Sequence, residues 1–417
     1  MSTQQRVAVI GGGAAGLAAA ITAAEQGDIV TVFERMDRVG KKILATGNGR
    51  CNLYNITERE YFGQPEFAAQ VLSLCGAKEQ ISFWHRHGLR TWVEEDGRGY
   101  PVTFQASTVL DILRFQLERL QIEVILNAPV HGLRRTAAGW KIMLSDQLMD
   151  ALYDRVVVTG GGKAQPKLGS DGSAYALLAE HGHRLIDPKP ALTALETATN
   201  AIRGLSGQRV KASVQLVRGA KRLADAEGEV LFTDYGISGI CVMECARDAK
   251  PGDKLMLNLP GALGFNNTSD VENELRRRRN LWRGQPASRI LSGLLSPRLG
   301  DRIAEAANVP IHSKSAEQLT SDDLSRLALV LFQWPLEIIG KRGFDQAQIT
   351  AGGIDTKDFS PFTLESKLVP GLHAAGEVLN VDGPCGGYNL MFAFGSGILA
   401  GLNGREVLRM NQISGNR

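Results

Sequence analysis

The chain has 417 residues, with 47 lysines and arginines against 44 aspartates and glutamates and a formal charge of +3. That length exceeds one ordinary domain, and the charge balance excludes a dominant electrostatic attraction to nucleic acid or anionic membrane. No apolar run approaches the ~18 residues that span a bilayer. No secretory signal is expected, because the first apolar run is short and ends in glycines. Five scattered cysteines, an odd number, argue against a disulfide framework and place the chain in the cytoplasm.

Val7-Ala8-Val9-Ile10 runs directly into Gly11-Gly12-Gly13-Ala14-Ala15-Gly16, and Glu34 closes the next apolar run, 29–33. The order reads as strand, glycine turn, helix over 14–26, strand, acidic residue, the layout of a dinucleotide-binding unit. Gly11 permits the tight turn, Gly13 lets the backbone approach a pyrophosphate, and Gly16 lets the helix pack on the sheet. The helix directs unpaired N–H groups and its positive dipole end at the phosphates. Glu34, followed by Arg35, is placed to accept hydrogen bonds from the adenosine ribose. A 2′-phosphate would be repelled there.

The segment GKKILATGNGRCN, beginning at Gly40, reads as a permissive loop crossing the diphosphate towards the far end of an extended cofactor. Lys42, Gly47, Arg50, Cys51 and Asn52 are its candidate binding residues. Helices are expected over 66–87 and 107–120, and strands over 122–126, 141–144 and 155–158. His85 and His87 read as surface or packing residues of the first helix. Thr159-Gly160-Gly161 follows the last strand without a helix behind it and reads as a chain passing close beneath the cofactor, so a second nucleotide-binding unit is missing.

Past Pro190 the texture changes to short strands, at 213–217, 229–232 and 254–259, with turns at Arg218-Gly219 and Glu227-Gly228. A helical block over 269–333 follows, opened by a capping box of Ser269 and Glu272 and ending on a helix opened by Thr320 and Asp323. The arginine run 276–279, with Glu272 and Glu274 nearby, reads as a solvated face. Cys241 and Cys245 would share a helix face, but no second ligand pair accompanies them and no metal site is expected.

The chain then returns to glycine-rich α/β texture. Gly376-Glu377 ends a short strand beside which ribityl hydroxyls or a phosphate could lie. Gly387, Tyr388, Asn389 and Leu390 open a small-residue helix whose N–H groups would face an electron-rich ring edge, where a reduced flavin gathers negative charge. An adenosine pocket at one end and this helix start at the other describe FAD better than NAD.

These stretches resemble the YhiN/BaiN family of FAD-dependent flavoproteins, also described as aminoacetone-oxidase-type NAD(P)/FAD-dependent oxidoreductases. The most specific motifs are GKKILATGNGRCN, LFTDYGISG and GEVLNVDGPCGGYN. Lys41 stands where the family more often has Arg, Asn48 replaces a usual glycine, and Asn380 replaces a common Asp. The resemblance implies an α/β fold with a discontinuous Rossmann-like FAD-binding domain, interrupted by a β-barrel-like lobe and a small helical lobe, with the flavin at their junction. Expected boundaries are 1–190 and 351–417 for the FAD domain, 191–265 and a return strand over 334–350 for the β-rich lobe, and 266–333 for the helical lobe. The resemblance also implies an FAD site lined by Ala15, Glu34, Lys42, Arg50, Asn52, Val130, Gly161, Glu377 and Asn389; Val130, after the 122–126 strand, would offer backbone groups to adenine.

The expected activity is hydride transfer to or from a small organic substrate. A reductase would take hydride from NAD(P)H docked transiently at the flavin, since the chain has no nicotinamide domain. An oxygen-dependent oxidase of small amines and an RNA-associated or non-catalytic flavoprotein are the alternatives, and near-neutral charge speaks against a nucleic-acid partner. Arg50, Tyr235 and Tyr388 are the candidate catalytic residues, with Arg50 facing either a substrate carboxylate or the flavin pyrimidine. Substrate, electron donor and oligomeric state are left open.

Overall fold

The computed structural model describes residues 4–145 and 147–404, so the last part of the expected second FAD segment, 405–417, lies outside the described residues. The chain forms two compact units, one from the chain up to Pro190 and from Gln348 on, the other Ala191–Ala347.

The first unit is built on five parallel strands, β1 (Arg6–Ile10), β2 (Ile29–Phe33), β3 (Glu123–Ile125), β4 (Arg155–Val158) and β5 (Leu372–Ala374), in the order β5-β4-β1-β2-β3. Both faces of the sheet are covered, which is why β1 and β4 are apolar almost throughout rather than alternating. Strand order reverses at β1 and β4, and in doubly wound sheets ligands bind at the carboxyl ends beside such a reversal. Helix α1 (Ala14–Glu25) follows β1, α2 (Lys41–Ala45) follows β2, and α3 (Tyr388–Leu402) follows β5.

Helices α1 and α3 pack backbone to backbone through small residues. A Cβ at Gly397 would lie 2.3 Å from Ala15 O, and one at Gly401 would lie 2.6 Å from Ala19 O. The paired positions rise together along both helices, so the two run parallel and their N-termini point the same way. Measured from the Ala15–Gly397 contact at 1.5 Å per residue, the start of α3 extends about 12 Å beyond the start of α1. The far end of α3 is held by the fully buried Arg155, which donates to Ala400 O at 2.6 Å, to Gly401 O at 2.9 Å and to Asp28 Oδ2 at 2.9 Å. A cation on a helix's last carbonyls satisfies orphan acceptors and the dipole together.

The second unit closes Leu195–Thr197, Arg209–Arg218, Lys221–Phe232, Gly236–Ser238, Lys254–Asn258 and Trp334–Lys341 into a barrel filled by residues such as Val214, Leu216, Phe232, Leu255 and Leu336. Helices Thr268–Leu281, Pro297–Ala306 and Ser321–Phe332 are inserted before its last strand.

Several local expectations are corrected. The helix expected over 66–87 is two helices, Pro65–Leu74 and Ala77–Arg86, because Gly76 caps the second and its N–H donates to Glu79 Oε2. His87, which caps the end of the second, is buried and joined to Phe83 O and Glu25, a packing role. Glu227-Gly228 is no turn but the interior of a twelve-residue strand, whose hairpin closes at Gly219 instead. The helix expected to begin with Ser269 as cap begins two residues earlier, where Asn267 Oδ1 accepts from Asp270 N. The cap at Thr320 stands as expected. The arginine run is not simply solvated: Arg277 is doubly bonded to Glu274, Arg278 donates to Ser292 O at 2.7 Å, and Arg279 donates to Leu319 O at 3.1 Å.

Candidate functional site

A cleft of about 1440 Å³, open mouth included, lies at the carboxyl ends of β1, β2 and β4. Its floor is the turn after β1. Gly11 has φ +107° and a Cβ there would sit 2.8 Å from Thr159 O. Gly16 is pressed on the same turn, its Cβ position only 1.9 Å from Gly11 O, whereas Gly13 faces open space with no atom within 4 Å. The three glycines thus divide the work as their spacing suggests: turn, open approach, helix packing. Thr159 braces the turn, its hydroxyl donating at 2.9 Å towards Ile10 O and Gly11 O.

Glu34 ends β2 with its carboxylate in the cleft wall, accepting from Gly12 N and Met36 N, both at 2.8 Å. The chain after β3 is stitched alongside it, Ala128 N donating to Glu34 O at 2.9 Å, which brings Val130 into the same wall. Gly160 and Gly161 line the opposite wall after β4, with Arg35 at the rim.

The far end of the cleft is polar. Lys42, on α2, is ion-paired to Glu377 at 2.6 Å. The second Glu377 oxygen accepts from Thr350 N at 2.9 Å, and Thr350 Oγ1 accepts from Lys163 N and Ala164 N. Asn389 and Leu390 bring the start of α3 to this end. The Asn389 carboxamide folds the preceding loop back, accepting from Gly383 N and donating to Gly383 O and Pro384 O. Gly387, with φ +100°, supplies the left-handed turn into the helix; a side chain there would strike Tyr54 O.

Of the candidate site residues, Gly11, Gly13, Ala14, Ala15, Glu34, Arg35, Lys42, Val130, Thr159, Gly160, Gly161, Glu377, Asn389 and Leu390 line this cleft. Gly16, Gly376 and Gly387 stand behind it. The GKKILATGNGRCN segment is not a plain loop: it forms α2 and then a run of left-handed residues, Gly47, Asn48, Gly49 and Cys51. Gly47, Arg50, Cys51 and Asn52 do not line the cleft. Arg50 is exposed, and burial pushes the Cys51 thiol up to about 12, so it holds no thiolate at neutral pH. Tyr388 is turned away as well, its hydroxyl 2.8 Å from Thr57 Oγ1 and its carbonyl taken by Tyr61. Tyr235 belongs to the second unit, its ring under the Arg342 guanidinium at 4.7 Å. Ser170 is among the cleft residues the sequence did not disclose. It is 5% exposed, its Oγ has no hydrogen-bond partner, and Gly161 clears space for it.

The donor set fits an extended dinucleotide. An unobstructed glycine at one helix start, a carboxylate at the ribose end, an orphan buried hydroxyl, a lysine, and a second helix start about 12 Å further on match adenosine, diphosphate and an electron-rich ring in that order. Among the described residues no cluster of potential metal ligands occurs, and no helix is long and apolar enough to cross a membrane.

Over 404 residues the chain is 38% identical to the 3-dehydro-bile acid delta(4,6)-reductase of Clostridium scindens, covering 95% of this chain and 98% of that protein. It is 27% identical to the ribosomal RNA dihydrouridine synthase of Escherichia coli, over 93% of this chain and 95% of the other. Among solved structures, 3-ketosteroid-delta4-(5alpha)-dehydrogenase from Rhodococcus jostii RHA1 aligns at TM-score 0.48 and 16% identity, over 98% of this chain and 97% of that one. The model of the HI0933-like protein Rossmann domain matches residues 5–403. The family match over residues 5–403 and the 38% identical relative identify the chain as a member of the HI0933-like Rossmann family of FAD-dependent oxidoreductases.

Proposed function

We propose that this protein holds FAD in the cleft at β1, β2 and β4 and reduces a carbon–carbon double bond conjugated to a carbonyl, with NAD(P)H as a visiting electron donor. The observation that carries the reading is the 38% identity, over nearly the full length of both chains, to a reductase acting on a 3-oxo substrate. FAD supplies hydride transfer when bound. The chain's own residues hold and orient it. The turn Gly11–Gly13 and the start of α1 would take the diphosphate, and Glu34 the ribose. Lys42, fixed by Glu377, would place a cation at the far half, and the start of α3 would favour negative charge on the ring edge. Among the described residues of this unit one such glycine turn occurs, with Glu34 where the ribose would lie, and the nicotinamide is accordingly read as a visitor.

The test is the absorbance spectrum of the purified protein before and after anaerobic NADH or NADPH, followed by a polycyclic 3-oxo-4-ene. Flavin peaks, bleaching by a nicotinamide, and reoxidation by the enone with a product two mass units heavier are expected. A chain that neither carries nor takes up FAD, or whose flavin neither nicotinamide bleaches, would sink the reading. A second reading, reduction of uridine in ribosomal RNA, rests on the 27% identical relative. Both substrates present an alkene conjugated to a carbonyl, so the two readings share one chemistry. The arginine run that could have served RNA is instead largely committed to Glu274 and to backbone carbonyls. Dihydrouridine formed on unmodified ribosomal RNA, with no turnover of the enone, would favour the second reading.

A further inference from the structure

Arg35 follows β2 and Asp171 and Ser173 follow β4, and these two strands flank β1 on either side. The Arg35 guanidinium is ion-paired to Asp171 and donates to Ser173 Oγ at 3.1 Å. The same two segments touch a second time, since a Cβ at Gly169 would come 3.0 Å from Met36 Cγ. A link from the end of β2 to the end of β4 passes over the turn after β1, which is the floor of the cleft. Ser170, between these contacts, has a buried hydroxyl in the cleft wall with no partner.

We propose that the 166–173 segment is a strap over the adenosine half of the cofactor. Ser170 Oγ is one of its hydrogen-bonding groups towards the dinucleotide, and the Arg35–Asp171 pair is its fastening. This rests on the FAD reading of the cleft. The pair is about one-third exposed at both side chains, so salt screens it and its contribution is that of a surface ion pair. Its effect therefore falls on how fast FAD leaves, and only modestly on how tightly it binds. Ser170 acts in the opposite way, because an unpaired buried hydroxyl that gains a partner adds to affinity and is insensitive to salt.

The experiment follows release of FAD by its fluorescence from wild-type protein, Arg35→Gln, Asp171→Asn, the double variant and Ser170→Ala, each at low and high salt. Arg35→Gln and Asp171→Asn are expected to release FAD about three to five times faster at low salt. The double variant should be no faster than either single one, and the difference from wild type should fade at high salt. Ser170→Ala should weaken FAD binding about fivefold at both salt concentrations. Melting of the FAD-free variants reports their folding. Release at the wild-type rate in every strap variant, or additive effects in the double variant, would overturn the strap alone. Failure of the wild-type chain to bind FAD at all would overturn it together with the function proposed above.

Discussion

Gly13 and Gly16 lie three residues apart in one turn, yet the structure assigns them opposite sensitivities. An alanine at Gly16 would place its Cβ 1.9 Å from Gly11 O and 2.6 Å from Thr159 Oγ1. Ordinary contact begins near 3.4 Å, so α1 must lift by about 1.5 Å, well beyond what a packed interior absorbs. Overpacking of this kind costs about 1–3 kcal/mol, and disturbing the two Thr159 hydrogen bonds adds about 1 kcal/mol each. Better helix propensity returns about 1 kcal/mol. The net expectation is a loss of about 2–4 kcal/mol in the stability of the FAD-free protein. Gly13→Ala meets no atom within 4 Å and its φ of −87° suits alanine, so stability should change by less than about 0.5 kcal/mol. Its methyl group, however, occupies the space a diphosphate needs, and FAD affinity should fall at least tenfold, about 1.4 kcal/mol. Urea unfolding of both apoproteins, followed by FAD titration, separates the effects. A Gly16→Ala protein as stable as wild type, or a Gly13→Ala protein that binds FAD normally, would refute the division of roles.

Removing the Arg155 guanidinium in Arg155→Leu takes the cation from buried Asp28 and a donor from the Ala400 and Gly401 carbonyls; a loss of about 3–5 kcal/mol is expected, and a loss under 1 kcal/mol in urea unfolding would contradict it. Asn389→Ala should cost about 1–2 kcal/mol and expose the Gly383 amide to rapid hydrogen exchange, whereas retained protection would show the carboxamide to be dispensable. Burial, reinforced by the Arg155 charge, holds His373 well below the ordinary histidine value of 6.5. The unfolded chain therefore takes up the proton first as pH falls, so stability present above pH 6.5 drains away below it, by at most about 1.4 kcal/mol per pH unit. His373→Asn should flatten the decline in melting temperature between pH 6.5 and 4.5; an unchanged slope would assign it to other groups.

Local rules carried the sequence reading furthest where one residue answers one local demand. Gly11, Gly13 and Gly16 each meet a backbone requirement visible from their neighbours, and the sheet reads from apolar runs buried on both faces. Ser170 escaped notice because its significance lies in a missing partner, which depends on where Gly161 and the 166–173 segment meet in space. Arg50 and Tyr388 failed as cleft residues for the converse reason. Their types suit chemistry, but Tyr388 is claimed by Thr57, and the left-handed run at Gly47, Asn48 and Gly49 carries Arg50 out to solvent. Gly228 imitates a turn residue, although it serves a strand that passes close to Cys241, where a Cβ would lie at 3.5 Å. Asn267 outcompeted Ser269 as a cap, a choice that short-range sequence leaves open among polar neighbours.

The glycine and alanine stripe joining α1 to α3 has a metric consequence. Because Gly397 and Gly401 lock onto Ala15 and Ala19, neither helix can slide past the other without a steric clash, and the distance between their starts is fixed by residue count alone. The spacing of the two helix starts in the cleft is thereby graduated in helix turns. If FAD lies along both helix starts as proposed, riboflavin or FMN would engage one end and leave the other unanswered, and the register of two buried helices would then contribute to the choice between flavins.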